Sequence, residues 1–561
     1  MSFPPKMRTP FLRWIATIVT ILALFPHQAA TCTPQKDTAA GATPQKIMEQ
    51  VEELLWERTL PPLDLEKGNC KLLRPGGSNS SVGAEWIRLA YHDMSTHNVE
   101  DGTGGLDASI IFELDRPQNI GSGMSETLKD FSPSVKPFVA FADLIALGTV
   151  VALSACGGPT IPYRAGRIDA TSAGPATVPE PHQDLASHTD AFKRQGFTQS
   201  EMIALVACGH SFGGVRNKDF PEIIQRPMDE VDLALFDGTR AFDNKVVTGY
   251  LDGTTPNPLV VGPNVTTNSD LRIFSSDGNA TMQSIASPEV FRKTCGDLFG
   301  RMINTVPAGV TLTDVVEPIK YKLGLTTLSP RHHLTNGSNA TIRLSTRLRV
   351  MGENPDRKIT LFWKDKTETT KICPDTGCSI STPARIFPSS GSLIAQRRGI
   401  TGFPSYVFEA GVNITSSVSK FWFEIDEGDG SPPDRFEPEP DAMIKQDTVV
   451  FDPIRSSMVT SADPLGPARR SIVLAVRGDP SQTNISVSIL ARWQPGSFDE
   501  TPFPLPPVTE FPLTQVDSTQ FPSVAGYTFF VAYVGRAVRW FNIVAEVGDE
   551  KIREENVMFW V

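Results

Sequence analysis

The chain lacks any apolar run long enough to cross a bilayer, and it lacks an excess of positive charge. Its N-terminal apolar run, Trp14 to Phe25, has 12 residues, whereas a membrane-spanning helix needs about 20. The 52 Lys and Arg residues face 63 Asp and Glu residues, so the formal net charge is -11 and nucleic-acid binding is not expected. A 561-residue chain that is 40% hydrophobic and 20% charged is typical of a globular protein with two or three domains.

Residues 1–30 combine basic residues, this apolar run and a small-residue end at Ala29 and Ala30. The order predicts a secretory signal peptide, with a signal anchor as the alternative, and thus a secreted protein of the extracellular space or cell wall. Asn-x-Ser/Thr sequons agree with secretion and predict a glycoprotein. They begin at Asn79, Asn264, Asn279, Asn336, Asn339, Asn413 and Asn484.

Cysteine is scarce and odd in number, with seven residues. An oxidising compartment favours disulfides, but seven cysteines leave one thiol over. Cys208 ends an apolar, helix-like run and is the candidate for a buried free thiol, while Cys373 and Cys378 bracket a Pro-Asp-Thr-Gly turn and are expected to pair. The sequence alone does not settle the pairing.

The chain changes character near residue 325. Before this point a 3.6-residue periodicity predicts helices; after it, short segments rich in Val, Ile, Phe and Thr predict antiparallel strands. The expected helices are 45–59, 83–94, 137–153, 184–196 and 200–210, and the expected strands are 340–351, 358–364, 405–412, 420–426, 471–476, 484–493, 527–534 and 538–547. We therefore expect a multidomain protein, with an all-α domain at 31–325 followed by an all-β region.

The all-β region also repeats itself. Tyr406-Val407-Phe408 followed by Trp422-Phe423 parallels Tyr527-Thr528-Phe529 followed by Trp540-Phe541. Two related β-sandwich modules, at 335–455 and 465–561, would explain the repeat. The alternative is a chance likeness between aromatic strands.

Two histidines stand out in the first half. Arg88 and His92 are four residues apart, so on a helix they share a face and can point a cation and a proton acceptor at one small ligand. His210 closes the apolar run Met202 to Cys208, where a buried imidazole can serve as the axial ligand of a haem iron. Either histidine alone is more often a core residue with its hydrogen bonds satisfied, and the motifs around them decide against that interpretation.

The two segments resemble, in order and spacing, the distal and proximal signatures of the plant, fungal and bacterial haem peroxidase superfamily. The resemblance covers about residues 45–325 and is closest to secreted fungal peroxidases of the hybrid, class II-like type. It implies the all-α peroxidase fold around haem b, held without a covalent link because the chain has no Cys-x-x-Cys-His motif, and a disulfide between Cys70 and Cys156. The other matching segments are Gly104 to Ser109, Asn119, Phe141 to Leu147, Gly157 to Pro159 and Gly166 to Asp169.

The resemblance also implies roles for single residues. His92 moves a proton between the oxygens of hydrogen peroxide, Arg88 stabilises the charge that develops, and Asn119 accepts from the other imidazole nitrogen of His92. On the opposite face His210 binds the iron, and Asp277 accepts a hydrogen bond from it. An exposed turn aspartate is the alternative for Asp277.

Two aromatic residues and two calcium sites complete the implied pocket. Tyr91 takes the distal aromatic position, and Phe236 the proximal one, where cytochrome c peroxidase has an oxidisable Trp. Calcium prefers oxygen ligands. The distal set is Asp93, Gly105, Asp107 and Ser109, and the proximal set is Ser211, Asp237, Thr239 and Asp243.

Differences from specialised peroxidases limit the class of electron donor that we expect. Of the three acidic residues of manganese peroxidases only Glu85 has a counterpart, with Ser81 and Arg216 in the other places. Leu205 replaces the exposed Trp of lignin peroxidases, and Asp219 replaces the Arg that holds ascorbate. The expected partners are hydrogen peroxide and small phenols or similar donors, with cell-wall or polysaccharide contact through the β modules. The alternative is a cell-wall or matrix binding protein with an inactive peroxidase scaffold.

Overall fold

The computed structural model describes residues 44–57, 70, 73–74, 80–225, 233–330, 341–366, 378–439, 444, 446–459, 469–481, 483–492, 508–522, 524, 526–535 and 538–558. The predicted signal peptide at 1–30, Cys373 and the sequons at Asn79, Asn336 and Asn339 lie outside the described residues. Within the described residues, no helix has the length and apolar character needed to cross a membrane.

The region before residue 305 is helical, and a helix lies at each of the five predicted positions. The helices are α1 (Pro44–Trp56), α2 (Val82–Met94), α3 (Ser122–Phe131), α4 (Phe141–Ala155), α5 (Leu185–Arg194), α6 (Gln199–Gly209), α7 (Lys245–Asp252), α8 (Pro258–Val261), α9 (Ser269–Phe274), α10 (Ala280–Ser284) and α11 (Pro288–Ile303). Short 3-10 turns at Ser109–Phe112 and Pro117–Asn119 connect α2 to α3. After α6 a small antiparallel pair forms from β1 (Gly214–Arg216) and β2 (Leu233–Leu235).

The core of the helical region is built around α4, which is apolar on nearly all its faces. Leu144 and Leu147 of α4 share one cluster with Trp86 of α2, Met202 of α6 and Phe299 of α11, and none of these side chains is more than 1% exposed. Burial of each large apolar side chain stabilises the fold by about 1.5–3 kcal/mol. The cluster therefore holds α2 and α6, which carry the two candidate histidine segments, against a common core.

The region after residue 320 consists of antiparallel sheets. The elements are β3 (Tyr321–Pro330), β4 (Thr341–Val350), β5 (Lys358–Lys364), β6 (Cys378–Ile380), β7 (Arg385–Phe387), α12 (Leu393–Arg397), β8 (Ser405–Asn413), β9 (Lys420–Asp426), β10 (Asp434–Phe436), β11 (Val449–Phe451), β12 (Ser457–Val459), β13 (Arg469–Arg477), β14 (Ile485–Arg492), β15 (Val508–Pro512), β16 (Thr514–Gln515), β17 (Tyr527–Gly535), β18 (Trp540–Val547) and β19 (Glu550–Met558). Sheet A has the strand order β3-β4-β8-β7, and sheet B has the order β10-β9-β5-β6. Sheet C has the order β11-β13-β17-β16, with β12 also beside β13, and sheet D has the order β15-β14-β18-β19.

All eight predicted strands are present, and the structure adds others, of which β3 and β19 are the longest. The pairing of β3 with β4 shifts register between Leu323 and Thr326, around Gly324. A glycine inside a strand and a proline at its end interrupt the alternation on which strand prediction depends. The sequence pattern therefore did not indicate β3.

The strand pairing follows the same pattern in the two halves of the β region. The pairs β4–β8 and β5–β9 in the first half correspond to β13–β17 and β14–β18 in the second. Leu344 and Phe423 lie in a cluster shared by sheets A and B, and Ile472 and Ile543 in one shared by sheets C and D. Val473 of β13 faces the other way and joins the first cluster, because successive side chains of a strand alternate. β11 lies within the first predicted module, 335–455, but pairs with β13 of the second, 465–561. The boundaries of the two modules therefore stay a prediction.

Sheet A meets α1 through buried charges. Arg349 of β4 donates to the carboxylates of Glu52, at 2.9 Å, and Glu57, at 2.7 Å, and Lys322 of β3 lies 3.1 Å from Glu52. In addition, α12 carries Ile394 into the helical core. Removing one partner of such a buried pair costs about 3–5 kcal/mol, so sheet A is firmly attached to the α1 side of the helical region.

Candidate active site

α2 places Arg88 and His92 one turn apart. Nδ1 of His92 lies 2.7 Å from Oδ1 of Asn119, and Nδ2 of Asn119 donates to the Glu113 carbonyl over 2.8 Å. Because the amide nitrogen is engaged at Glu113, the network assigns the amide oxygen as the acceptor of the Nδ1 proton. Nε2 of His92 is then the free acceptor nitrogen of the neutral ring.

The environment of His92 keeps its imidazole uncharged. Burial and the charge of Arg88 lower the pKa of His92 to about 3, against the opposite effect of the hydrogen bond with Asn119. Both effects disfavour the protonated form. The ring is therefore a proton acceptor at any pH well above that value.

Arg88 is held beside it as a fixed cation. Its Nη1 and Nη2 atoms both donate to the Ile120 carbonyl at 3.1 Å, and its Cζ lies 5.5 Å from the centre of the Phe220 ring. Burial lowers the pKa of Arg88 to about 10, so the guanidinium stays charged at neutral pH. A cation and a neutral base on one helix face can act on the same small polar ligand.

His210 is the residue that follows α6 and caps its C-terminus. Its Nδ1 lies 2.8 Å from Oδ2 of Asp270, which is 1% exposed. Phe236 stacks on the imidazole, with ring centres 4.2 Å apart and planes 16° apart. Because Nδ1 donates to a carboxylate, Nε2 is the nitrogen available to a metal.

The prediction that Asp277 accepts from this imidazole is wrong, since Asp270 occupies that place. Oδ2 of Asp277 accepts from the backbone N and Oγ1 of Thr281, at 2.9 and 2.6 Å. The two aspartates are seven residues apart, so one continuous helix would present both on the same face. α9 ends at Phe274, and this break leaves only Asp270 facing His210.

The prediction of a free thiol at Cys208 is also wrong. Cys208 forms a disulfide with Cys295 of α11, and Cys70 pairs with Cys156 as the resemblance implied. The first bridge closes a loop around the predicted proximal residues, and the second closes one around the distal residues. Cys378 is also disulfide-bonded, but the expected partner lies outside the described residues.

The predicted distal calcium ligands are buried close together. The two oxygens of Asp93 accept from the backbone N–H groups of Ala108, at 2.8 Å, and Ile110, at 2.9 Å. Burial and the nearby charge of Asp107 raise the pKa of Asp93. Oγ of Ser109 is buried beside the carboxylates of Asp107 and Glu113. Two neighbouring carboxylates and a buried hydroxyl fit a cation with oxygen ligands.

The proximal set is only partly satisfied by protein contacts. Oδ1 of Asp237 accepts from the N and Oγ1 of Thr239, at 2.7 and 2.9 Å, while Oδ2 is buried without a partner in the described part of the chain. Burial raises the pKa of Asp237 to about 6, with a further contribution from Asp243. No group of three or more His, Cys, Asp or Glu side chains that could hold a metal occurs among the described residues. A cation at either set would also need hydroxyl and carbonyl oxygens, such as those of Ser211 and Gly105.

Tyr91 lies on α2 next to His92 and packs towards α5. Its ring stacks on Phe192, with centres 5.9 Å apart and planes 27° apart. Burial raises the pKa of Tyr91. The side chain is therefore a neutral phenol.

The two imidazoles fit a haem. In each ring Nδ1 is engaged, and no hydrogen bond to Nε2 of either ring occurs within the described residues. The His210 side chain is 30% exposed although its acceptor Asp270 is 1% exposed. An anchored imidazole with an open Nε2 is the arrangement that an axial iron ligand needs.

At the positions where specialised peroxidases bind manganese or ascorbate, or expose a Trp, the side chains of this chain are paired with other residues or buried. Glu85 forms an ion pair with Arg74 at 2.5 Å, and Arg216 forms one with Asp219 at 3.2 Å. Leu205 is 3% exposed. The surroundings of the site therefore present neither a free manganese-type carboxylate at Glu85 nor an exposed aromatic ring at 205.

Comparison with known proteins agrees with this geometry. The peroxidase family model matches residues 71–287. Similar proteins include a WSC domain-containing protein of Arthroderma benhamiae, 37% identical over 62% of this chain and 47% of that protein. The peroxisomal L-ascorbate peroxidase 5 of Arabidopsis thaliana is 34% identical over 31% of this chain and 59% of its own length. A mitochondrial cytochrome c peroxidase of Cryptococcus neoformans is 33% identical over 25% of this chain and 39% of its own length. The chain thus spans about half the length of these relatives, and it carries a peroxidase domain of the haem peroxidase superfamily.

Proposed function

We propose that the chain is a secreted haem peroxidase that reduces hydrogen peroxide and oxidises small phenols or similar donors. The observation that carries this proposal is the pair formed by Arg88 and the neutral His92, in a domain that also holds His210 on a buried carboxylate. Bound haem b would supply the iron at which the oxygen–oxygen bond of peroxide is cleaved.

The distal residues divide the proton transfer between them. Nε2 of His92 accepts the proton of one peroxide oxygen and returns it to the other oxygen, which leaves as water. Asn119 keeps the Nδ1 proton in place, so Nε2 stays the accepting atom. The guanidinium of Arg88 stabilises the negative charge that builds on the departing oxygen.

The proximal residues would hold the cofactor, and they also indicate which class of electron donor the protein uses. His210 would bind the iron through Nε2, with Asp270 making the imidazole more electron-rich. Phe236 stacks where an oxidisable ring would relay electrons from a protein donor, and a phenylalanine ring is much harder to oxidise than tryptophan. The engaged state of Glu85 and the burial of Leu205 likewise favour small organic donors.

Calcium and secretion belong to the same proposal. The buried hydroxyl of Ser109 beside Asp107 and the unpartnered Oδ2 of Asp237 support calcium in the distal and proximal sets. Disulfides are typical of extracellular proteins, in agreement with the predicted signal peptide. The β region would contact cell-wall polysaccharide or shield one side of the peroxidase domain.

The test uses the full chain purified after haem reconstitution. We expect a Soret band and peroxide-dependent oxidation of a phenolic dye. A protein that takes up no haem and oxidises no dye would refute the proposal. If such an inactive protein bound cell-wall polysaccharide, the alternative of a binding protein with an inactive peroxidase scaffold would replace the peroxidase proposal.

A further inference from the structure

Asn257 contacts the same carboxylate oxygen as the candidate axial histidine. Its side chain is fully buried, and its Nδ2 lies 2.8 Å from Oδ2 of Asp270. Nδ1 of His210 lies 2.8 Å from that same oxygen. One carboxylate oxygen thus accepts hydrogen bonds from two separate segments of the chain.

The amide of Asn257 is held in one orientation. Its Oδ1 accepts from the backbone N–H of Leu259 at 2.9 Å, because Asn257 is the N-cap residue of α8, where a side-chain oxygen acceptor is preferred. With the oxygen engaged at the helix start, the nitrogen is the atom that faces Asp270. The side chain therefore has two separable functions, as a helix cap and as a donor.

The other neighbours of the pair do not duplicate that donor. Phe236 covers the imidazole at 4.2 Å, and its hydrocarbon ring has no N–H group. Oγ of Ser269 lies 3.4 Å from the other carboxylate oxygen, Oδ1, which is long for an O–H···O bond. Among the described residues, Asn257 is the second donor to Oδ2.

We propose that Asn257 is a positioning residue for the axial ligand and sets how strongly Asp270 attracts the Nδ1 proton of His210. This inference rests on the proposed haem function. A second donor stabilises the anionic carboxylate and makes Oδ2 a weaker base, so the hydrogen bond from His210 is weaker than it would be to Asp270 alone. Nε2 then gives less electron density to the iron, and Asn257 raises the ferric/ferrous potential of the bound haem.

The test compares midpoint potentials of the haem-loaded full chain. Asn257→Ser removes the Nδ2 donor and keeps a hydroxyl that can cap α8, while Asp270→Asn removes the anionic acceptor itself. We expect a potential below the wild-type value for Asn257→Ser and above it for Asp270→Asn. An unchanged potential in Asn257→Ser, or a shift in the same direction as Asp270→Asn, overturns the proposal.

Ser287→Ala is the matched control, because Ser287 caps α11 by accepting from Val290 N at 3.2 Å. It should lower thermal stability and leave the potential unchanged, and a shift as large as that of Asn257→Ser would count against the proposal. If Asn257→Ser does not fold, Asn257→Gly replaces it, since glycine is tolerated at an N-cap. If the wild-type chain binds no haem, both the proposed function and this inference are overturned. If the wild-type chain binds haem and Asn257→Ser has the same midpoint potential, only the inference is overturned.

Discussion

The two candidate histidines differ in what accepts the proton of Nδ1. On the distal side His92 donates to the amide oxygen of Asn119, which is neutral, at 2.7 Å. On the proximal side His210 donates to the carboxylate of Asp270, which it meets at 2.8 Å. The distances are nearly the same, so the difference between the two sites is one of charge.

This difference explains how one residue type can serve two purposes. A neutral acceptor fixes the tautomer of His92 and adds little negative charge, so Nε2 can take up a proton and release it again. A carboxylate acceptor pushes electron density into His210, which suits a permanent bond to iron. The lesson is that the acceptor at Nδ1, more than the histidine itself, distinguishes a proton carrier from a metal ligand.

Removal of the distal base should have the largest effect. His92→Leu deletes the proton acceptor, and we expect the rate constant for reaction with peroxide to fall by about 10²–10⁴-fold while haem stays bound. Stopped-flow absorbance at the Soret band measures this rate. His182→Ala, a variant of an exposed histidine paired with Glu180, is the control and should react like the wild type. An undiminished rate in His92→Leu would remove His92 from the mechanism.

Removal of the distal cation should have the next largest effect. Arg88→Leu deletes a preorganised positive charge, and we expect a loss of about 10²–10³-fold in the same rate constant. Arg88→Lys retains the charge without the forked donors and should lose less. Equal losses in the two variants would show that geometry rather than charge is the contribution of Arg88.

The two aspartates provide a direct test of the proximal side. Asp270→Asn should weaken haem binding or activity by about 10–100-fold, the range found for partners of metal ligands. Asp277→Asn, the matched control, should affect only the hydrogen bonds that Asp277 accepts from Thr281, at about 1 kcal/mol of stability. Haem titration and thermal unfolding measure the two effects. If Asp277→Asn were the variant that loses haem, the assignment of Asp270 would be wrong.

The smallest effects should appear in the pH profile. His92 acts only when neutral, so the peroxide rate should be constant near neutrality and fall to half as the pH drops through about 3, its pKa. Arg88 lowers that pKa and the Asn119 hydrogen bond raises it. Arg88→Leu should therefore move the acid limb to higher pH, and Asn119→Leu should move it to lower pH. Rates measured after a pH jump test both signs, and shifts in the same direction would contradict the assignment.

Much of the distal site could be predicted from the sequence because its parts are local. Arg88 and His92 lie on one helix, and Asn119 follows within the same disulfide-closed loop. The proximal site is assembled from the end of α6, the start of α8 and the start of α9. The sequence prediction named Asp277 as the acceptor of the His210 hydrogen bond, seven residues after the actual acceptor, Asp270. Asn257 was not predicted at all, because an Asn-Pro pair at a helix start is common and does not indicate a distant partner.

Periodicity and spacing were enough to identify the helical and β halves, the Arg88–His92 pair and the positions of eight strands, because these patterns are properties of short segments. Three contacts became evident only in the folded chain: Asp270 rather than Asp277 accepts from His210, Cys208 is bonded to Cys295, and Arg349 of sheet A is buried against α1. Each of these contacts depends on where a helix stops and on which distant segment returns to it. These contacts depend on packing and charge pairing between distant segments, so no local sequence pattern predicts them.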